Sequence, residues 1–206
     1  MSEASHNVDR REQILQISLQ LFASRGYHKT KISDIVSGVG VAQGTFYWYF
    51  KSKEAIALEI IHKGTQSLLE VVSKGYRQSP GTVQDTVKAS ERLFENLFLF
   101  SQDNKFFMEI LLRGMESEAS IHEAIMETRL QIEEAFKKNI ERAIEFGILP
   151  NNDPSIQSAL LVSLLEGILS KWLFGPITTH SKLHQKTANE LAKEVVRFEF
   201  FGLLGI

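Results

Sequence analysis

The 206-residue sequence predicts an all-α protein of about nine helices. Three observations carry this expectation. Only four prolines interrupt the chain, at positions 80, 150, 154 and 176. No segment alternates polar and apolar residues with period two, and none is dominated by β-branched residues, so strands have no sequence support. Apolar residues instead recur three and four apart through nearly every segment between the prolines, the spacing of one face of an α-helix. The helices fall into a short N-terminal group of three over residues 1–52 and a larger helical part over residues 53–206.

Taken in order, residues 9–25 place Ile14, Ile17, Ser18, Leu21 and Phe22 on one face, and Gly26 supplies the residue that stops the helix. Thr30 is expected to cap a short helix from Lys31 to about Gly38, with Ile32, Ile35 and Val36 inward. A turn at Val39-Gly40-Val41 leads to a second short helix, Gln43 to Phe50. Residues 53–77 form a longer helix with Ile56, Ile60, Gly64, Leu68 and Val72 on its apolar side. Thr82 with Asp85 three residues on is a capping box opening a helix to about Ser101. Residues 104–115 carry Phe106, Phe107, Ile110 and Leu111. Ser120 with Glu123 reads as a second capping box, for a helix striped by Ile125, Ile132, Phe136, Ile140 and Ile144 that stops at Gly147. Asp153-Pro154 is an N-cap followed by proline at the first helical position, opening a helix over 154–174. A final helix starts at about Lys182 and carries Leu191, Val195 and Phe198.

Composition narrows the function. Hydrophobic residues make up 43% and charged residues 23%, an ordinary globular balance, and the net charge of −2 leaves room only for a local basic patch. There is no cysteine, which excludes disulfides, thiolate metal sites, iron–sulfur clusters and a cysteine nucleophile. Residues 1–64 hold 8 basic and 6 acidic side chains and the remainder 15 and 19, a small asymmetry that leaves the N-terminal part slightly positive and the rest acidic. The N-terminal residues lack the pattern of a signal peptide, and the charge-free run from Pro154 to Leu165 is shorter than a membrane span. A cytoplasmic protein with no membrane contact is expected. The helix at 154–174 is apolar on nearly every side, so a second copy of the chain is expected to cover what its own chain cannot.

The stretch carrying function runs from Thr30 to Lys53, TKISDIVSGVGVAQGTFYWYFKSK. Two short helices joined by a glycine turn form a helix-turn-helix, whose second helix enters the DNA major groove. Phe46 and Phe50, four apart, can face the core, leaving Gln43, Thr45, Tyr47, Trp48 and Tyr49 for the outside. Glutamine can pair with adenine through two hydrogen bonds, and threonine can meet a thymine methyl or a phosphate. Tyrosine hydroxyls reach phosphate oxygens, Gly44 removes bulk, and Lys51 and Lys53 add cations.

These residues resemble the recognition-helix signature of the tetracycline-repressor (TetR) family of bacterial transcriptional regulators. The match extends over residues 9–58, with Ile14, Ala23, Gly26, Thr30, Ile32, Asp34, Ile35, Gly40 and Val41 in the family's pattern. The resemblance implies that Thr30, Lys31, Gln43, Gly44, Thr45, Tyr47, Trp48, Tyr49 and Lys53 contact DNA. It also implies a homodimer acting as a repressor on a palindromic operator in double-stranded DNA. Ala42 stands where a capping serine is usual, a loss of about 1 kcal/mol of helix stability, and Val39 replaces the usual alanine.

Competing patterns are weaker. Gly38-x-Gly40-x-x-x-Gly44 lacks the preceding strand of a dinucleotide fold. Glu59-x-x-His62 lacks the second motif of a di-iron bundle, and His180 with His184 is a lone pair beside a proline. No nucleophile-and-base signature is present, so neither an enzyme nor a cofactor is expected. The alternative is an all-helical enzyme or interaction module whose first helices only resemble a DNA reader.

Two further sites are expected. A mainly apolar effector would enter between helices lined by Phe94, Phe98, Phe107, Leu111 and Met126, with Arg113 or Glu166 choosing its charge. Glu166 is expected to be buried because its whole helix is apolar. The dimer would form on the helices at 154–174 and 182–204 through Leu161, Leu165, Leu169, Leu191, Val195 and Phe198.

Overall fold

The computed structural model describes residues 3–74, 81–176 and 182–203, with side chains from Arg10 onward. The expected helix end at 77, His180 and the last residue of the final helix lie outside these. The described residues form nine α-helices: α1 Glu3–Arg25, α2 Ile32–Val39, α3 Gln43–Tyr49, α4 Lys53–Ser73, α5 Val83–Asp103, α6 Lys105–Arg113, α7 Ala119–Glu145, α8 Pro154–Phe174 and α9 Ala188–Phe201. The fold is all-α, as the spacing of apolar residues predicts. The chain divides into two compact units, residues 1–65 with 106–128 and residues 66–105 with 129–206. This division does not coincide with the 52/53 boundary, because α6 and the start of α7 join the N-terminal helices.

In the first unit, Ile14 and Phe22 of α1, Ile35 of α2, Phe46 of α3 and Ile56 of α4 are buried in one core. Each such side chain contributes roughly 1.5–3 kcal/mol on burial. Arg11 and Lys63 tie α1 to α4 through Glu59 at 2.6 Å and Glu12 at 2.8 Å. Two buried contacts join α4 to α6 and α7. The Thr65 and Thr128 hydroxyls share a hydrogen bond of 2.8 Å, and the ring of Phe107 lies directly against the backbone of Gly64. Phe106, expected inward, is 41% exposed, because Phe107 takes the core position beside it.

In the second unit α5 packs along α9, joining Leu93, Leu97 and Phe98 to Leu191, Ala192 and Val195 in a buried set. Phe94 stacks at a tilt on Phe136, 6.5 Å between centroids, and Phe98 meets Trp172 edge-on at 5.7 Å. The Trp172 indole donates to the Lys186 carbonyl at 3.1 Å. His184 spends its ring nitrogens on the carbonyls of Trp172 and Pro176, at 3.0 and 3.1 Å.

Caps explain most boundaries. Thr82 and Asp85 close the expected box, with the Asp85 amide donating to Thr82 Oγ1 at 3.2 Å and the Thr82 amide to Asp85 Oδ2 at 3.0 Å. Asp153 accepts from the Ser155 amide at 2.9 Å. Three expectations are corrected. Thr30 does not cap α2; Lys31 occupies that position, its amide donating to Asp34 Oδ2 at 2.8 Å. Ser120 lies inside α7, and its hydroxyl donates to Glu54 instead of closing a box with Glu123. The last helix starts at Ala188, behind a short 3₁₀ turn at Leu183–Gln185, where Thr187 and Glu190 form a capping box.

The helix α8 is also corrected. Its 21 residues are long and apolar enough to cross a membrane by length and composition, since the isolated Glu166 does not end the helix. It is not buried on every side. Ser158, Leu161, Val162, Leu165, Leu169 and Trp172 face the core of their own unit, while Ile156 is 60% and Leu160 68% exposed. Glu166 is half-exposed and lies 3.9 Å from Arg129, so the expected burial of this carboxylate does not occur.

Candidate nucleic-acid interface

The helix pair forms around glycines with defined tasks. Gly40 ends α2 at φ +75°, a left-handed conformation that side chains resist, and its amide donates to the carbonyls of Val36 and Ser37. A Cβ at Gly38 would stand 2.9 Å from Ile17 Cγ2, so this glycine lets α2 lie close to α1. The N-cap of α3 is Ala42, which offers no side-chain acceptor, as its identity predicts. Phe46 and Phe50 hold the helix instead. They are 0% and 3% exposed, their rings 5.8 Å apart, and the Arg11 guanidinium lies 4.9 Å over the Phe50 ring.

With those two rings inward, the other side of α3 points out. Tyr47 and Trp48 are 52% and 67% exposed, unusual values for such large apolar surfaces. Gln43 and Gly44 are exposed, and Thr45 and Tyr49 are half-buried. A Cβ at Gly44 would meet nothing within 4 Å, so the fold itself does not require a glycine there. Lys31 and Lys51 are exposed nearby in sequence, as are Arg25, His28 and Lys29 in and beside the α1–α2 turn.

Two expected contact residues are used internally. Thr30 is 1% exposed, and its hydroxyl donates to the Gly26 carbonyl at 2.8 Å, so its side chain faces the α1–α2 turn. Lys53 extends its ammonium to the carbonyls of Tyr27 and Thr30 at 2.8 and 3.1 Å, 4.0 Å from the centre of the Tyr27 ring. Desolvation lowers the Lys53 pKa, opposed by the Glu118 carboxylate. Burial raises the Tyr27 pKa, helped by Glu118 and Glu54. Tyr27 itself escaped the sequence reading, since an aromatic residue in a turn carries no spacing signal.

The expected effector residues are divided between the two units. Phe94, Phe98 and Glu166 belong to the second, and Phe107, Leu111, Arg113 and Met126 to the first. Phe94, Phe98, Phe107 and Leu111 are buried core residues. Met126 is 45% exposed, so it does not line an interior cavity, and Arg113 is paired with Glu109 at 3.1 Å on the surface. Of the expected pairing residues, Leu161, Leu165, Leu169, Leu191 and Val195 are covered by their own chain, and only Phe198, 43% exposed, faces outward. A cleft of about 390 Å³ in the second unit is lined by Ile140, Leu160, Leu161, Leu164 and Phe198, with Gln157. No cluster of His, Cys, Asp or Glu suited to a metal occurs among the described residues.

A buried scaffold presenting the outer face of a short second helix after a glycine turn defines a helix-turn-helix DNA-binding protein. Residues 14–60 match the family model described as bacterial regulatory proteins, tetR family. The chain is 25% identical over 207 residues to the HTH-type transcriptional regulator YdgC of Bacillus subtilis, covering 97% of this chain and 95% of that one. It is 23% identical to the HTH-type transcriptional regulator AcrR of Shigella flexneri, covering 82% and 80%. Among solved structures, the fatty acid degradation regulator FadR of Bacillus halodurans superimposes with a TM-score of 0.76 at 18% identity, covering 94% and 96%. FadR of Bacillus subtilis, solved in complex with stearoyl-CoA, gives 0.73 at 17% identity, covering 93% and 98%. Residues 14–60 thus match the DNA-binding domain of tetR-family regulators, and the chain is similar over nearly its whole length to an HTH-type transcriptional regulator.

Proposed function

We propose that the protein is a cytoplasmic repressor that binds a palindromic operator as a homodimer and is released by a small apolar effector. The observation that carries the reading is the exposed face of α3, where Tyr47 and Trp48 stand outside while Phe46 and Phe50 anchor the helix. Residues 1–52 read the DNA, with Gln43 pairing a base edge and Thr45, Tyr47, Trp48 and Tyr49 meeting sugar, phosphate and thymine methyls. Gly44, free of any internal requirement, lets the backbone approach the groove. Lys31 and Lys51 neutralise phosphate. Thr30 and Lys53 act through the turn they hold.

Residues 53–206 carry the effector site and the pairing surface. The pairing surface is the outward stripe of α8, Ile156, Leu160, Ser163 and Gly167, together with Phe198 of α9. The inward leucines support this surface from behind. The abundance of buried phenylalanine and the likeness to regulators of fatty acid metabolism favour a long acyl chain as effector, as its thioester or free acid. Phe94 and Phe98, buried in the second unit, supply apolar wall of the kind such a chain needs.

The test is selection of duplexes from a random pool, followed by anisotropy titration of the enriched sequence. An inverted repeat with half-sites about 34–36 Å apart, or somewhat more, is expected. Affinity should fall log-linearly with salt, by a slope of about 0.9 per phosphate neutralised, and stearoyl-CoA should release the duplex. Absence of any enriched inverted repeat refutes the repressor reading. Release by a different class of small molecule refutes the acyl effector alone.

A further inference from the structure

The N-terminus of α7 is bonded to the N-terminus of α4 at the point where α4 holds the α1–α2 turn. The Lys53 ammonium fastens the carbonyls of Tyr27 and Thr30, both in the turn between α1 and α2. The next residue, Glu54, accepts a hydrogen bond from Ser120, 66 residues along the chain and the second residue of α7. Desolvation lowers the Lys53 pKa and raises that of Tyr27, and the carboxylate of Glu118, two residues earlier, opposes the first shift and adds to the second, so it acts on the same pair of groups. The connector from α6 to α7 opens on Gly114 at φ +74°, a bend that residues with a side chain rarely hold.

A crevice adjoins this bond. Between the end of α1 and the end of α6 lies a crevice of about 260 Å³ floored by Phe22, Tyr27, Ile110 and Met115. The end of α6 therefore does not wedge tightly against the turn, and the Ser120–Glu54 bond is a direct attachment between α7 and the reading helices. A hydrogen bond to a carboxylate is directional and stronger than one between neutral groups, so it constrains where α4 begins.

We propose that Ser120 and Glu54 are positioning residues for DNA reading: together they set the place of α4's first turn, and through Lys53 the place of the turn before α2. The inference rests on the DNA-reading function proposed above and adds the residues outside the reading helices that hold them in register. Neither Ser120 nor Glu54 carries a cation that could neutralise a phosphate. Their effect on affinity therefore carries no phosphate contact with it.

Duplex affinity is measured on the selected sequence for Ser120→Ala, Ser120→Thr, Glu54→Ala and the Ser120→Ala/Glu54→Ala pair, with salt slope and melting temperature for each. Ser120→Ala should weaken binding about three- to tenfold, the net scale of one ordinary hydrogen bond and so only part of a charge-assisted one. Its salt slope and melting temperature should stay at wild type. Ser120→Thr, which keeps the hydroxyl, should restore affinity, and the double variant should bind no more weakly than Glu54→Ala alone. Unchanged affinity in Ser120→Ala overturns the proposal. So does a loss that tracks the melting temperature and is not rescued by threonine, since that is the signature of a merely structural bond. Additive losses in the double variant also overturn it. If the wild-type chain binds no duplex, the DNA-reading function fails and the positioning role falls with it; a wild type that binds and a Ser120→Ala that matches it removes only the latter.

Discussion

Replacing Gly64 by alanine sets two opposing effects against each other inside α4. Alanine is the better helix former by about 1 kcal/mol, so at an open position the change would stabilise. Gly64 is not at an open position. A Cβ there would stand 2.3, 2.4 and 2.7 Å from three carbon atoms of the Phe107 ring. Real Cβ contacts do not come this close, so the ring must move, and Phe107 is only 3% exposed with the core of the first unit behind it. Overpacking of this kind costs typically about 1–3 kcal/mol, and three sub-contact distances at once place it in the upper half of that range. The net expectation for Gly64→Ala is a loss of about 1–2 kcal/mol, or roughly 2–8 °C in melting temperature for a chain of this size. Circular dichroism melting and urea titration measure it. The control is Gly64→Ala with Phe107→Leu, in which the smaller side chain frees the space the methyl needs. Each change alone destabilises, and the pair should lose less than the sum of the two. A single variant that melts higher than wild type would show that the α4–α6 approach is looser than described, and the reasoning would fall.

Three further outcomes are expected. Lys51→Ala should flatten the salt slope by about 0.9, whereas Lys53→Ala should lower melting temperature and duplex affinity with little change in slope, because its ammonium is bonded to the Tyr27 and Thr30 carbonyls. Equal slope changes in the two variants contradict that assignment. Leu160→Glu should give a folded monomer in sedimentation, while Leu165→Glu should unfold the second unit, since the first side chain is 68% and the second 3% exposed. A stable Leu160→Glu dimer would move the pairing surface elsewhere. Glu190 has a pKa lowered by its hydrogen bonds to the Thr187 amide and hydroxyl. A depressed carboxylate contributes its stability above the unfolded value near 4.5 and loses it as pH falls through the folded value, so Glu190→Gln should reduce the loss of stability below pH 4.5. Parallel acid titrations of α9 helicity in the two proteins would contradict this.

Which features were legible in the sequence follows from the range of the interactions. Caps and stripes are local. Thr82 with Asp85 and Asp153 with Pro154 announced α5 and α8, and the pairing of Phe46 with Phe50 announced the inward side of α3. Thr187 with Glu190 carries the same signature and marks the start of α9 five residues beyond the 3₁₀ turn's first boundary at Lys182. Thr30 matched the cap preference, but its hydroxyl found two carbonyls of the preceding turn and left the cap to Lys31. The bond from Ser120 to Glu54 spans 66 residues and has no local signature at all. On α8 the residue types are apolar on both sides, so type alone cannot separate Leu165, which its own chain covers, from Leu160, which it does not. Residue type is equally silent on the effector residues: phenylalanine serves a solid core and a cavity wall equally well.

The two sides of α8 also bear on how chains of this kind diverge after duplication. Ile156, Leu160, Ser163 and Gly167 face away from the fold, while Leu161, Leu165 and Leu169 hold it together. On the pairing surface proposed above, substitutions in the outward set would alter mating preference without a folding penalty, so a duplicated copy could cease to mix with its parent through a handful of changes. Until those changes accumulated, a copy with a damaged reading helix and an intact outward stripe would still capture undamaged chains into mixed pairs carrying a single working head. Loss of function in one copy would then be dominant over the other, and the outward residues would come under selection to part company sooner than the inward ones could drift.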